Sequence, residues 1–336
     1  MGQVDQNLLD GTSKTFAPLL PSARFPAILA MLRSNETPVS AAETGFTLPD
    51  PGLIPEDIDY DPLSKTFLIT SVLEKKIIRV NDEGVSSPFA SSPSHWPMLA
   101  IKVDAANKLV WATEVALDGF TAAPKADWGR SALLCFDLET GKQLRRMEGP
   151  HGSALGDMVL AQNGDPVLSD GANGDIYRVQ NGTIKLLNGT DIISPQTPAV
   201  LPDGRHLIVP DYLRGLGVLD LASGRVRWLT TQASAPVALN GVDGVYARDG
   251  SLFITQNGTS PECILRLKID LSLAQVVSSK FIERATPTLG DPTHGVLVND
   301  AFYYIANSGW GELDDHGDLK PGSKMTKAHV MRFVAR

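Results

Sequence analysis

The sequence predicts an all-β chain, a six-bladed β-propeller of four-stranded blades with an N-terminal extension. Three observations predict it. The stretch Asn240–Gly258 (NGVDGVYARDGSLFITQNG) reads as a hairpin of two alternating apolar runs joined by Asp249-Gly250, residues that tolerate the positive φ of a primed turn. The same pattern recurs at Pro55–Thr70, Pro97–Thr113, Leu155–Asp170, Pro195–Asp211, Gly241–Asn257 and Pro292–Asn307. With Glu56, Leu99, Asp157, Thr197, Asp243 and His294 taken as equivalent, the steps are 43, 58, 40, 46 and 51 residues, the spacing of propeller blades.

Residues 1–51 lie outside the repeats and 52–336 form the expected propeller. Within the extension, Ser22–Arg33 (SARFPAILAMLR) reads as a short helix with Pro26 in its first turn, where a missing N–H costs little. It is expected to pack against the outside or one end of the propeller. Its weakly basic polar face argues against a membrane-surface helix. Thr37–Leu53 has no periodicity and reads as a lead-in loop.

Each hairpin is followed by a third strand: Lys76–Val80, Leu133–Leu138, Asp175–Val179, Gly217–Leu221, Ile264–Ile269 and His329–Val334. Turns such as 139–142, 181–183 and 222–225 lead into edge-like fourth strands, as at Gln143–Arg146 and Val226–Leu229. Two insertions interrupt the pattern. Val115–Gly129, in blade II, accounts for the longest step; with Phe120 and Trp128 it is either a lid over one mouth of the ring or a plain surface excursion. Ser308–Thr326, in blade VI, carries Trp310, Glu312, Asp314, Asp315 and His316, which read as a metal site or as a solvated turn.

Composition narrows the function classes. The chain has 336 residues, is 43% hydrophobic and carries a formal net charge of −8. It can bury a large core, and it lacks the basic footprint that nucleic acid demands. No apolar run is long enough for a membrane-spanning helix. Cys135 and Cys263 fall on third strands of opposite blades, too far apart for a disulfide, and read as small buried apolar residues. The start of the sequence (MGQVDQ) lacks a signal-peptide pattern, which leaves a cytoplasmic protein and a secreted or periplasmic one with its signal removed equally open.

First strands line the axis of a propeller, so Glu56, Leu99, Asp157, Thr197, Asp243 and His294 are expected at one level around it. Three carboxylates, a hydroxyl and an imidazole do not make an inert core, because buried carboxylates need ion pairs, hydrogen bonds or metal. A hard cation would satisfy them, and so would turn caps or bonds to a neighbouring blade.

Pro55-Glu56 ahead of Tyr60-Asp61, Val242-Asp243-Gly244 before a hairpin, Pro202-Asp203-Gly204 and Pro292-Thr293-His294-Gly295 resemble motifs of the SMP-30/gluconolactonase superfamily, which includes lactonases and paraoxonase-like esterases. The resemblance covers residues 52–336. It implies a divalent cation, Ca2+ first, on Glu56 and Asp243, with Asp243 also a general base. The family's amide ligands are not matched; Asp157 stands at one such place and Gln196 or Thr197 at another. The resemblance therefore implies metal residues Glu56, Asp157 and Asp243, catalytic residues Asp243 and His294, and substrate-binding residues Gln196, Thr197 and Leu99. The expected function is metal-assisted hydrolysis of a small lactone or ester. A metal-independent lyase, isomerase or condensing enzyme is the alternative, and a non-catalytic binding propeller the third reading.

Overall fold

The computed structural model describes residues 14, 17–188, 191–232, 237–272 and 274–335. Six sheets, each with a four-stranded antiparallel blade at its heart and five of those blades built from consecutive strands, form a six-bladed β-propeller. Blade I comprises Pro55–Asp61, Thr66–Ser71, Lys76–Val80 and Ser86–Ser91; blade II comprises Met98–Asp104, Leu109–Ala116, Arg130–Asp137 and Gln143–Glu148. Blade III comprises Leu155–Leu160, Pro166–Asp170, Asp175–Gln180 and Thr183–Asn188; blade IV comprises Ala199–Val200, His206–Asp211, Gly215–Asp220 and Val226–Trp228. Blade V comprises Gly244–Arg248, Ser251–Gln256, Cys263–Asp270 and Gln275–Arg284, and its outer strand also pairs with Val39–Ser40 and Thr230–Thr231.

Blade VI shows how the ring closes. Gly295–Val298, Ala301–Ile305 and His329–Val334 come from the end of the chain, and the outer strand, Glu43–Thr47, comes from its beginning. The boundary expected at residue 52 therefore lies earlier: Thr37–Leu53 is not a plain lead-in loop, because residues 39–40 and 43–47 are strand. Upstream, α1 (Phe25–Asn35) forms with Pro26 in its first turn, as expected. Phe25 is its buried residue, with Leu29 and Leu32 half-buried four and seven positions on, along the same face.

The core is divided by the blade geometry. Six apolar clusters occupy the six spaces between adjacent blades, because each twisted sheet buries both faces against its neighbours. The free edges of the inner strands face the axis, and their N–H groups need acceptors there. Asp57 and Asp59 of blade I accept the N–H groups of Ile101 and Val103 of blade II at 2.8 and 2.6 Å. Lys102 Nζ, 2.5 Å from Asp57, balances that buried charge. A cavity of about 210 Å3 runs along the axis, bounded by Thr197, Tyr246 and Gly295 and by Asp59 and Lys102. Both cysteines are buried and free.

Candidate active site

The aligned residues stand where each inner strand begins, at the end of the ring that also carries the connections between successive blades. In blades I, II and III the ladder is irregular there: register shifts separate Pro55 from Ile58, Met98 from Ile101, and Leu155 from Asp157. Such bulges re-aim side chains at the rim of a sheet. Across blades IV and V, Thr197 N donates to Asp243 O (3.1 Å) and Val245 N to Thr197 O (3.1 Å), which fixes the two residues beside each other. The glycines after Asp243 and His294 are needed for close approach. A Cβ on Gly244 would lie 2.6 Å from Tyr246 Oη, the same oxygen that accepts the Gly295 N–H at 2.7 Å.

His294 is the centre of the cluster and is 1% exposed. Its Nδ1 lies 2.9 Å from the carbonyl oxygen of Glu56, an acceptor only, so Nδ1 carries the donated proton. Nε2 then faces the carboxylates. It lies 3.0 Å from Asp157 Oδ1, within ion-pair distance but outside hydrogen-bond alignment, and has no hydrogen-bond partner among the described residues. Thr197 Oγ1 donates to the same Asp157 oxygen at 2.5 Å. Asn257 Nδ2 donates to Asp243 Oδ2 at 3.0 Å and is itself held by the Tyr212 hydroxyl, also at 3.0 Å. Trp310 Nε1 donates to Glu56 Oε2.

Burial sets the electrostatics. Desolvation raises Glu56 to about 8, against the lowering influence of His294 and Trp310. It raises Asp243 to about 7, with His294 opposing and Asp157 adding to the rise. Burial alone would depress His294, but Asp243 and Asp157 reverse the sign and hold it well above the usual imidazole value. The cluster thus sets a histidine that its carboxylate neighbours favour in the charged form against two carboxyls, Glu56 and Asp243, that burial pushes toward the protonated form.

The two insertions meet over this end of the ring. Phe120 packs on Trp310 with ring centroids 5.8 Å apart, and Thr121 N donates to His316 O at 2.8 Å. Around them, Ile54, Val72, Leu99, Val115 and Leu313 form an apolar layer. Leu99 belongs to that layer rather than to the polar cluster. Gln196 also stays outside it: its amide bonds Ser194, whereas Thr197 reaches Asp157. The Asp-His loop of blade VI is a turn in which Asp314 Oδ1 accepts the N–H groups of His316 and Asp318.

Among the described residues, no three His, Cys, Asp or Glu side chains are arranged to hold a metal ion. Each carboxyl of the cluster has an oxygen committed to a separate protein donor, and His294 supplies the positive charge between them. The donor set does not fit the cation that the resemblance implies.

No family model matches the sequence, and none of the curated proteins matches it. Solved structures do, at the level of fold. The PQQ-bound aldose sugar dehydrogenase of Streptomyces coelicolor superposes with a TM-score of 0.60 at 12% identity, covering 89% of this chain and 100% of that one. The gluconolactonase XC5397 of Xanthomonas campestris gives 0.59 at 13% identity, covering 86% and 88%. A catalytically inactive histidine-to-alanine variant of virginiamycin B lyase from Staphylococcus aureus, solved with quinupristin, gives 0.56 at 13% identity, covering 87% and 98%. These likenesses define the class as a six-bladed propeller of the architecture these enzymes use.

Proposed function

We propose that the chain is a hydrolase of a small lactone or ester, working by acid–base catalysis with His294 as the electrophile. One observation carries the reading: a buried imidazole whose Nε2 lies 3.0 Å from the Asp157 carboxylate, set among two carboxyls of raised pKa. Its Nε2–H can donate to the oxyanion that forms when a carbonyl is attacked, in exchange for its contact with Asp157. Asp243, when ionised, takes the proton of the attacking water. Glu56, when protonated, gives its proton to the departing alkoxide as the acyl C–O bond breaks, so water is added across that bond. Asp157 and Thr197 hold His294 in place. The likeness to a gluconolactonase supports the substrate class, and the histidine-dependent lyase supports histidine chemistry on this scaffold.

The test is a panel of lactones and aryl esters, assayed with and without a calcium chelator. Asp243→Asn should lower kcat/KM by roughly 10²–10⁴ and His294→Asn by roughly 10²–10³, with chelator having no effect. Activity that disappears with a stoichiometric bound cation would replace this mechanism by the metal-assisted one. Turnover by elimination or isomerisation, with no hydrolysis product, would assign the same proton-transfer groups to a lyase or isomerase. Turnover of none of these compounds would leave a binding propeller.

A further inference from the structure

The axial cavity is lined by the inner strands of all six blades, and burial changes along them. Thr197, Val245 and Gly295, beside the His294 cluster, are buried. Val159, Val200, Ala247 and Leu297, two to four residues beyond the aligned positions, are half-buried. Tyr246 Oη accepts the Gly295 N–H at 2.7 Å where the two spaces meet. The cavity therefore ends at the floor of the candidate site and opens at the opposite mouth of the ring.

Its wall is apolar over most of its circumference and charged on one side. Val159, Val200, Val245, Ala247, Val296 and Leu297 line it from blades III to VI, and Asp59 and Lys102 from blades I and II. These two charges do not cancel. Lys102 Nζ is committed to Asp57 at 2.5 Å and to the Ile101 carbonyl at 2.7 Å, so one ammonium serves two carboxylates. Asp59 accepts one backbone N–H on each oxygen, from Tyr60 at 2.8 Å and Val103 at 2.6 Å, and each oxygen keeps a second acceptor position. Burial raises Asp59 to about 6, with Lys102 opposing, so it is ionised at neutral pH. Apolar surface left in water and an enclosed carboxylate without its own counter-charge are both unfavourable, and one ligand relieves both.

We infer that this cavity binds a small organic ammonium, its charged head on Asp59 and its apolar body against the wall of blades III to VI. Volume sets the size: an apolar cavity of about 150 Å3 holds benzene, so one of about 210 Å3 holds such a ring with an aminomethyl group attached. A hard metal ion does not fit, since it needs several oxygen ligands and Asp59 is the one carboxyl of the lining. A neutral or anionic ligand leaves the Asp59 charge unmatched. This inference is independent of the chemistry at His294.

Isothermal titration calorimetry of the full-length protein would use benzylammonium chloride, with benzyl alcohol and benzoate as neutral and anionic probes of the same size. One site for benzylammonium, and binding at least tenfold weaker for the other two, is the expected result. Asp59→Asn should weaken benzylammonium at least tenfold. Ala247→Leu, which fills the cavity and leaves every charge in place, should do the same. Ala247 is half-buried at the open end, so that variant should keep the wild-type melting curve, which checks that lost binding is not lost folding. No binding of benzylammonium, equal binding of benzyl alcohol, or full binding by either variant would overturn the inference.

Discussion

Glu56 and Asp243 make opposite demands on pH. The base must be ionised and the acid protonated, so kcat/KM should rise through about 7 and fall through about 8, giving a narrow bell. The two limbs belong to the coupled cluster rather than to single residues. Asp243→Asn should remove the rising limb from whatever activity remains. Stability carries a second signature. The folded state raises Glu56 from 4.5 to about 8, so it holds that proton more tightly than the unfolded chain. The associated stability is complete below the unfolded value and lost as pH rises through the folded one. Melting temperature should therefore decline from about pH 5 to 9, and Glu56→Gln, which cannot ionise, should flatten the decline; an unchanged slope would remove Glu56 as its source. The ring of aligned residues was legible in the sequence because hairpin register repeats from blade to blade. Their partners were less so. Asn257 stands two residues past Thr255, whose carbonyl accepts the Asp243 N–H, and the hairpin register could have found it. Trp310 could not be assigned from its loop, since its contact with Glu56 depends on how that loop folds back.

At the scale of elements, the roof is built by two insertions that the long repeat spacing exposes but cannot pair. Their contacts join residues about 195 positions apart, as between Thr121 and His316, and no local pattern encodes that distance. Shape explains why they fit. Gly317 has φ +78° and lies against the Phe120 ring, where a Cβ would come within 2.3 Å of the aromatic carbons. A side chain there is both strained and obstructed. Gly317→Ala should unfasten the clasp, and hydrogen exchange would report it as lost protection in 117–129 and 310–319. Global stability should change little, because exposed loops open separately from the blades. The helix shows the converse limit of sequence reading: Ser22–Arg33 announced α1 correctly, yet apolar spacing alone could not say that Phe25 would be buried while Ile28 and Met31 stay exposed.

At the scale of the whole molecule, the ring is held shut by a strand that repeat analysis left outside it. Glu43–Thr47 was hidden because ETGFT lacks alternation and its partner, His329–Val334, lies at the other end of the sequence. Yet Phe46 and Leu48 are 4% and 0% exposed, in the cluster that joins blades VI and I, with Phe46 5.0 Å from the Phe67 ring. Losing two such side chains costs about 3 kcal/mol each, and the strand adds hydrogen bonds of about 1 kcal/mol apiece. Together these approach the roughly 5–15 kcal/mol that holds a typical domain folded. Two truncations separate closure from the helix. A chain lacking residues 1–36 retains the closing strand and should give the urea midpoint of the full-length protein. A chain lacking 1–49 loses that strand and leaves the edge of His329–Val334 open, so it should unfold at much lower urea or aggregate through the exposed edge. A synthetic peptide spanning 37–50 should restore part of the midpoint of that second chain, since the groove between blades VI and I would be intact when the strand is supplied in trans. If both truncations melt alike, blade VI is complete with three strands, and the cooperativity of the ring resides in the contacts between blades alone.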